Sequence, residues 1–444
     1  MTSPVGAAAE HPKGWDSAAS QSARNKRRIL GMLAKRLNDA RLSEVSDGRD
    51  LRGRRWRLET LLSSVLLGLV SGSRSLKEVE WLTEELPRAV RRRLGIPRRV
   101  PDTTLRDALL RLSPDDLRPS LHAVTHAARR RKALSPDGLP FGVIALDGKG
   151  TAVPAADDFF AQRQTAAEDG PLVGLVRTVT VALTSSLVRP VVDVVSIPAS
   201  TNEMGVFGRV LDQVMAAYSK SELFRLVTYD AGACSMDNAR AVRKHGLHYL
   251  LGLKGTQSTL HEDAKLWLGV RGAQQADAVS EDLHHGNVVV RRLYLGEAVA
   301  APVGWEHLRT VARVEVETLD TKGNRISRED RYFVSSLPRS RLTDEQWLLL
   351  VRRHWGVETA HQILDGAFDE DKHPWIEQHP RATAVVMVLR RIAYTLLVLW
   401  RDVTLRSDDN RSRPWSWIMR DIFLCLLTAT AERLRNQRSM PLLT

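Results

Sequence analysis

Cysteine is nearly missing from this chain: Cys234 and Cys425 are the only two. That excludes a disulfide framework and a cysteine-built zinc site, and makes a reducing compartment the default. Long apolar runs are missing too. "LETLLSSVLLGLVSG" is too short to cross a bilayer and "ATAVVMVLRRIAYTLLVLW" is broken by Arg390 and Arg391, so no membrane segment is expected. Residues 1–23 mix Ala and Ser with Pro and charges, lack the apolar run of a signal peptide, and read as a disordered tail. No internal repeat is visible. Acidic residues fall short of basic ones, 52 against 65, for a net charge of +13 and a pI near 10.1. An Arg-rich excess favours a polyanionic partner such as nucleic acid, although a generally basic proteome would leave the same imprint.

What is present is enough for two or three domains: 444 residues, 43% of them hydrophobic. From Arg24 to about Leu112 the apolar period is helical, with Ser75 and Asp102 as expected N-caps, and a further helix is expected near 114–130. The turn-rich "RKALSPDGLP" marks a boundary. Beyond it "FGVIALDGKG", "LVRTVTVALTSS", "RPVVDVVSIPA", "FRLVTYDAGA" and "HYLLGLKG" read as five strands, the first three as antiparallel neighbours and the last two joined through helices near 203–220 and 235–246. A second β region, 286–338, follows a helix-like "QSTLHEDAKLWLG" and precedes a helix opened by a capping pattern at Thr343 to Gln346. The whole is a mixed α/β sheet behind an all-helical N-terminal module.

Three constellations carry chemistry. Asp147 ends the apolar strand "VIALDGKG"; alone, an Asp-Gly step is more often a turn. A phosphate loop around Lys149 is excluded, because five residues separate Gly142 from Gly148 and no Ser or Thr follows the Lys. Asp230 ends a second such strand in "RLVTYDAGACSMDNARAV", so if the two strands adjoin, their carboxylates meet. The third is "RRHWGVETAHQILDGAF", where His354, Glu358, His361 and Asp365 fall on one stripe of a helix at about 100° per residue. A solvated face paired with Arg352 or Arg353 is the bland account of that stripe. Two Asp from a sheet and one Glu from a helix can hold two divalent cations roughly 4 Å apart; hard oxygen donors suit Mg2+ or Mn2+, and a phosphodiester is the substrate such a site fits. A di-iron site from Glu358–His361 and Glu281–His284 would need both motifs on facing helices, and "HGNVVV" after the second reads as turn and strand.

In order along the chain, "ALDGK", "TNEM", "YDAGA", "YLLGLKGTQSTLHED", "YFVSSL" and "HWGVE...LDGAFDED" resemble the H-repeat-associated (ISAs-type) insertion-sequence transposases of bacteria, members of the DDE superfamily, and "RRWRLETLLSSVLLGLVSGSRSLKEVEWL" resembles the helical domain preceding their catalytic domain. The resemblance covers about residues 45–400. It implies a ribonuclease-H-like core (141–285 and 343–405) interrupted by an inserted β region (286–338), a DNA-binding helical domain at 24–130, and a helical tail at 406–444. It implies Asp147, Asp230 and Glu358 as catalytic residues and ligands of two Mg2+ or Mn2+ ions. Lys149, Lys254, Gln257, Arg353, His354 and Trp355 carry over as DNA contacts, and His361 and Asp365 as auxiliary groups. The activity implied is cleavage of element ends and strand transfer into target DNA, by a homodimer in a synaptic complex, in the bacterial cytoplasm and at the nucleoid when active. Two other readings stay open: a transposase-derived DNA-binding protein without catalysis, and a metal-dependent DNA nuclease.

Overall fold

In a computed structural model of the chain, residues 28–154, 158–165, 170–284, 286–299, 302–405 and 411–429 are described. The expected tail at 1–23 lies outside them, as does much of 406–444. The basic N-terminal stretch is helical: α1 (28–39), α2 (Leu58–Val70), α3 (Leu76–Glu85), α4 (Arg88–Leu94), α5 (Asp102–Leu110) and α6 (Pro114–Arg130). Ser75 caps α3 by accepting from the Glu78 N–H, as expected. Asp102 is instead the first residue of α5, with Pro101 in the cap position.

Ten strands make one mixed sheet: β1 (Val143–Pro154), β2 (Ala161–Thr165), β3 (Leu172–Leu183), β4 (Val191–Ser196), β5 (Leu226–Tyr229), β6 (His248–Leu253), β7 (Ala278–His284), β8 (Asn287–Glu297), β9 (Thr310–Leu319) and β10 (Arg325–Ser335). The order is β2-β3-β1-β5-β6-β10-β9-β8-β7, with β4 also on β3. β1, β3 and β4 pair antiparallel, whereas β5 and β6 run parallel to β1. The parallel steps use α7 (Glu203–Tyr218) and α8 (Met236–Lys244) as crossovers. The five expected strands are β1, β3, β4, β5 and β6.

One boundary needs correction here. The later β region begins at Ala278, not at 286; β10 pairs antiparallel with β6 and so joins β9, β8 and β7 to the same sheet. Strands β2 and β7 carry few apolar residues, "AQRQT" and "AVSEDLH", because an edge strand needs only one neighbour and one covered face.

A single apolar cluster runs from α1–α6 through α7 and the sheet to α12 (Pro380–Leu399), so the helical stretch and the sheet share a core. Arg118 of α6 clamps the buried Asp193 of β4 through Nε and Nη2, at 2.9 and 2.7 Å. The apolar α12, long enough to cross a membrane together with the segment to Leu405, has its most apolar 18 residues wholly buried inside the protein. A second cluster packs Trp347 and Leu350 of α10 (Asp344–His354) on the other face of the sheet. The expected Thr343/Gln346 capping box opens α10. The unbroken helix expected to follow is interrupted at Trp355 (φ −77, ψ 2), after which α11 (Gly356–Gly366) starts afresh. At that point the chain passes close to the end of β3: a Cβ on Gly356 would stand 2.9 Å from Thr184 Cγ2. In the expected C-terminal tail, α13 (Trp415–Thr428) is helical and stacks Phe423 on Trp81.

Candidate active site

The register of two parallel strands brings the first carboxylates together. Val143, Ile144 and Ala145 of β1 pair with Leu226, Val227 and Thr228 of β5; the same offset carried two residues further sets Asp147 beside Asp230. Asp230 is held at its strand end by accepting from the Gly232 N–H at 3.0 Å, capping the short turn Ala231–Ala233. Gly252 makes room for that turn, since a Cβ there would lie 2.9 Å from the Ala231 nitrogen.

Side chains alternate across β1. Ala145 packs with Ala182 and Val357, so the face that carries Asp147 looks at α11. Ile144 and Leu146 join the cluster of α7, and Gly148 shares their face. Along α11, His361 Nδ1 stands 3.1 Å from Asp147 Oδ2 and Asp365 pairs with Lys149 Nζ at 2.7 Å. Glu358, one turn before His361, is exposed. Partial burial pushes its carboxyl above the usual range and the Asp147 charge adds to this; Arg331 and His361 pull it down, and Asp230 pushes it up again.

The remaining sequence candidates divide. Lys254 is exposed at the end of β6, Gln257 lies half-buried in the turn before α9 (Ser258–Leu268), and Trp355 is partly exposed with the Arg331 guanidinium 4.7 Å above its ring. Lys149 is largely enclosed, its ammonium held between Asp365 and Asp371. Arg353 and His354 turn into the protein. Arg353 binds Asp137 at 2.8 Å, and His354 Nδ1 lies 2.8 Å from the Thr228 hydroxyl. Burial lowers the His354 imidazole to about 4, so it is neutral at pH 7. The di-iron alternative fails, because Glu281 to His284 lie on β7, a strand.

Sequence reasoning missed three groups. Asp371 and its neighbours form a strap: Asp369 pairs with Arg74 of the turn between α2 and α3 at 2.8 Å, Glu370 meets the buried Arg391 of α12, and Asp371 meets both Lys149 and Thr151 of β1. Arg331 comes from β10. Glu203, in "TNEM", is the first residue of α7, whose cap Asn202 accepts from the Gly205 N–H at 2.9 Å. The Glu203 carboxylate lies directly over Gly148, where a Cβ would fall 1.7 Å from its Oε1. Burial pushes the Glu203 carboxyl up, and the Asp147 and Asp230 charges push it further. No sequence signal marks it, since after Asn202 it reads as a first-turn acid.

Among the described residues no three His, Cys, Asp or Glu side chains already surround one point closely enough to hold an ion. Asp147 does not end its strand as expected but lies within β1, which pairs with β3 as far as Pro154. The donor chemistry fits Mg2+ or Mn2+ all the same: carboxylate oxygens from mid-strand β1, the end of β5 and two helices.

Residues 140–396 match the family model described as "Transposase DDE domain", and residues 40–124 match one described as "DDE_Tnp_1-associated". The chain belongs to the DDE transposase family. Among curated relatives of this transposase-family chain, "Putative transposase YncI" of Escherichia coli O157:H7 is 25% identical over 234 residues, 47% of this chain and 57% of that protein. The "H repeat-associated putative transposase YhhI" of Escherichia coli (strain K12) is 28% identical over 159 residues, 33% and 41% of the two chains. An "Uncharacterized protein in dhlA 3'region" of Xanthobacter autotrophicus is 32% identical over 117 residues, 25% and 38%. The chain therefore spans between 38% and 57% of the length of these relatives. The H-repeat-associated resemblance of the motifs agrees with them.

Proposed function

We propose that this chain is a DNA transposase with a ribonuclease-H-like core, which cleaves double-stranded DNA at the ends of its element and joins the freed 3′ hydroxyl to target DNA. Asp147, Asp230 and Glu358 hold two divalent cations, Mg2+ or Mn2+. One observation carries this: the β1–β5 register, continued two residues, brings Asp147 beside Asp230, and His361 of the helix that bears Glu358 stands 3.1 Å from Asp147. When bound, the ions supply activation of the attacking oxygen and stabilisation of the leaving one.

The chain's own share is positioning. The sheet fixes the two Asp carboxylates, and the His361 contact orients Asp147. Lys254 and Gln257 follow β6, the parallel strand next to β5, at the same end of the sheet as Asp230; with Arg331 and Trp355 they form a rim for the phosphate backbone. Arg353 and His354 brace α10 from behind. The helical domain at 24–130 adds further phosphate contacts, and bringing two element ends together calls for a homodimer. A cytoplasmic protein working at the nucleoid is the matching location.

The test is nicking of supercoiled plasmid by the purified full chain with Mg2+ or Mn2+, together with joining of donor-end oligonucleotides to target. Nicking and joined products are expected, with both lost in Asp147→Asn and Glu358→Gln while DNA binding persists. Binding without nicking would mark a DNA-binding derivative, and hydrolysis without joined products a nuclease; either result sinks the proposal.

A further inference from the structure

We infer that Glu203 is a fourth carboxylate of the metal site, closing the side of it that α7 covers. This rests on the metal-holding role proposed for Asp147, Asp230 and Glu358 and extends it to a residue outside that set.

The position of Glu203 is fixed against both aspartates. Its Oε1 lies over Gly148, the neighbour of Asp147, and its Oε2 is 3.5 Å from the hydroxyl of Tyr229, the neighbour of Asp230. The helix start that carries it is firmly built. Asn202 caps it, and Arg177 Nη2 donates to the Thr201 carbonyl at 2.5 Å and to that of Pro198 at 3.3 Å. Gly205 is needed there because a Cβ would stand 2.3 Å from Thr201 Oγ1. One turn on, Phe207 stacks on Tyr229 with ring centroids 5.6 Å apart, pinning α7 to the strand of Asp230.

A merely structural Glu at a helix start would face water or an ion-pair partner. Glu203 is half-buried, and among the described residues no Lys or Arg stands within ion-pair distance of it, the Arg177 charge reaching it only from further off; the long Tyr229 contact is its hydrogen bond. A carboxylate withdrawn from water beside two others is costly unless a cation compensates it. Glu358 reaches the pair of aspartates from the face of β1 that looks at α11, and Glu203 reaches it from the face that looks at α7. With both, oxygen donors are available on either flank of Asp147, as a pair of ions requires.

The test uses the full-length chain and Mn2+ alone, without DNA, with free Mn2+ followed by electron paramagnetic resonance during titration. Glu203→Gln keeps the side chain's size and removes its charge. Gly148→Ala leaves Glu203 intact but puts a methyl where its carboxylate lies. Each is expected to weaken Mn2+ binding by at least the ~10-fold that losing even an outer-sphere partner costs, and to lower plasmid nicking in step, with wild-type circular dichroism. Asp212→Asn, on the exposed face of the same helix where Asp212 pairs with His245 at 2.8 Å, should bind like wild type. Wild-type Mn2+ affinity in Glu203→Gln, alongside lost binding in Asp147→Asn, overturns this inference and spares the proposed function. Wild-type protein that takes up no Mn2+, with Asp147→Asn nicking normally, overturns both. Should Glu203→Gln fail to fold, Gly148→Ala decides by the same criteria.

Discussion

His354 was expected to touch DNA and instead sits in the core against Thr228, with its imidazole lowered by burial from 6.5 to about 4. The unfolded chain takes up this proton near pH 6.5 and the folded chain only near pH 4. Stability therefore rises with pH across that window and is lost as pH falls through it. The effect is at most about 3 kcal/mol. In urea denaturation at pH 4.5 and 7, His354→Leu should show a smaller difference between the two conditions than wild type; an unchanged difference would mean another group titrates. Asp193 presents a different case, a fully buried charge held by Arg118 and His122. Asp193→Asn leaves Arg118 buried without its counter-charge and is expected to cost about 3–5 kcal/mol in unfolding free energy. A loss under ~1 kcal/mol, the ceiling for most exposed pairs, would show that water reaches the guanidinium.

Among the elements, α11 matters most to the site because it carries Glu358, His361 and Asp365 past β1. Its seat is Gly356 against Thr184. Gly356→Val should lift the helix from β3 and misplace Glu358, with plasmid nicking falling about 100-fold, as a displacement near 1 Å can cost, while DNA binding holds. Unchanged nicking would show that α11 can re-seat. How far these elements were legible depends on what each has to bury. Strands β1, β3 and β5 lie inside the sheet and announce themselves as Val, Leu and Thr runs, and the runs of β1 and β5 lead into Asp147 and Asp230, so both aspartates could be read from the sequence, although β1 continues past Asp147 to Pro154. The edge strands β2 and β7 bury little and left no such trace. The break at Trp355 was hidden because the apolar period runs on through it, and the close approach of Gly356 to Thr184 at that point joins residues far apart in the chain. Glu203 was hidden for a similar reason: after Asn202 it reads as an ordinary first-turn acid, and only the fold lays it over Gly148.

At the scale of the whole molecule, folding gathers basic runs that lie apart in sequence. Arg55, Trp56, Arg57, Arg88, Arg91 and Arg92 line a cavity of about 610 Å³, and Arg49, Arg52, Arg98 and Arg111 line a second of about 900 Å³ that shares Arg55 and Trp56. If these arginines meet phosphates, replacing Arg55, Arg91 and Arg92 by Ala should flatten the dependence of log K on log salt by roughly 0.9 per contact removed. Fluorescence anisotropy on duplex DNA between low and moderate salt measures this, and an unaltered slope would exclude the cavities from binding. The strap at Asp369, Glu370 and Asp371 then acquires mechanical meaning. It fastens a turn of the helical region, the central helix α12 and the strand bearing Asp147 at three consecutive residues, and Asp369 itself adopts a left-handed backbone with φ 49. So short a tether has almost no slack. A load on the arginine-rich end would be transmitted to the carboxylate end as tension rather than absorbed along the way.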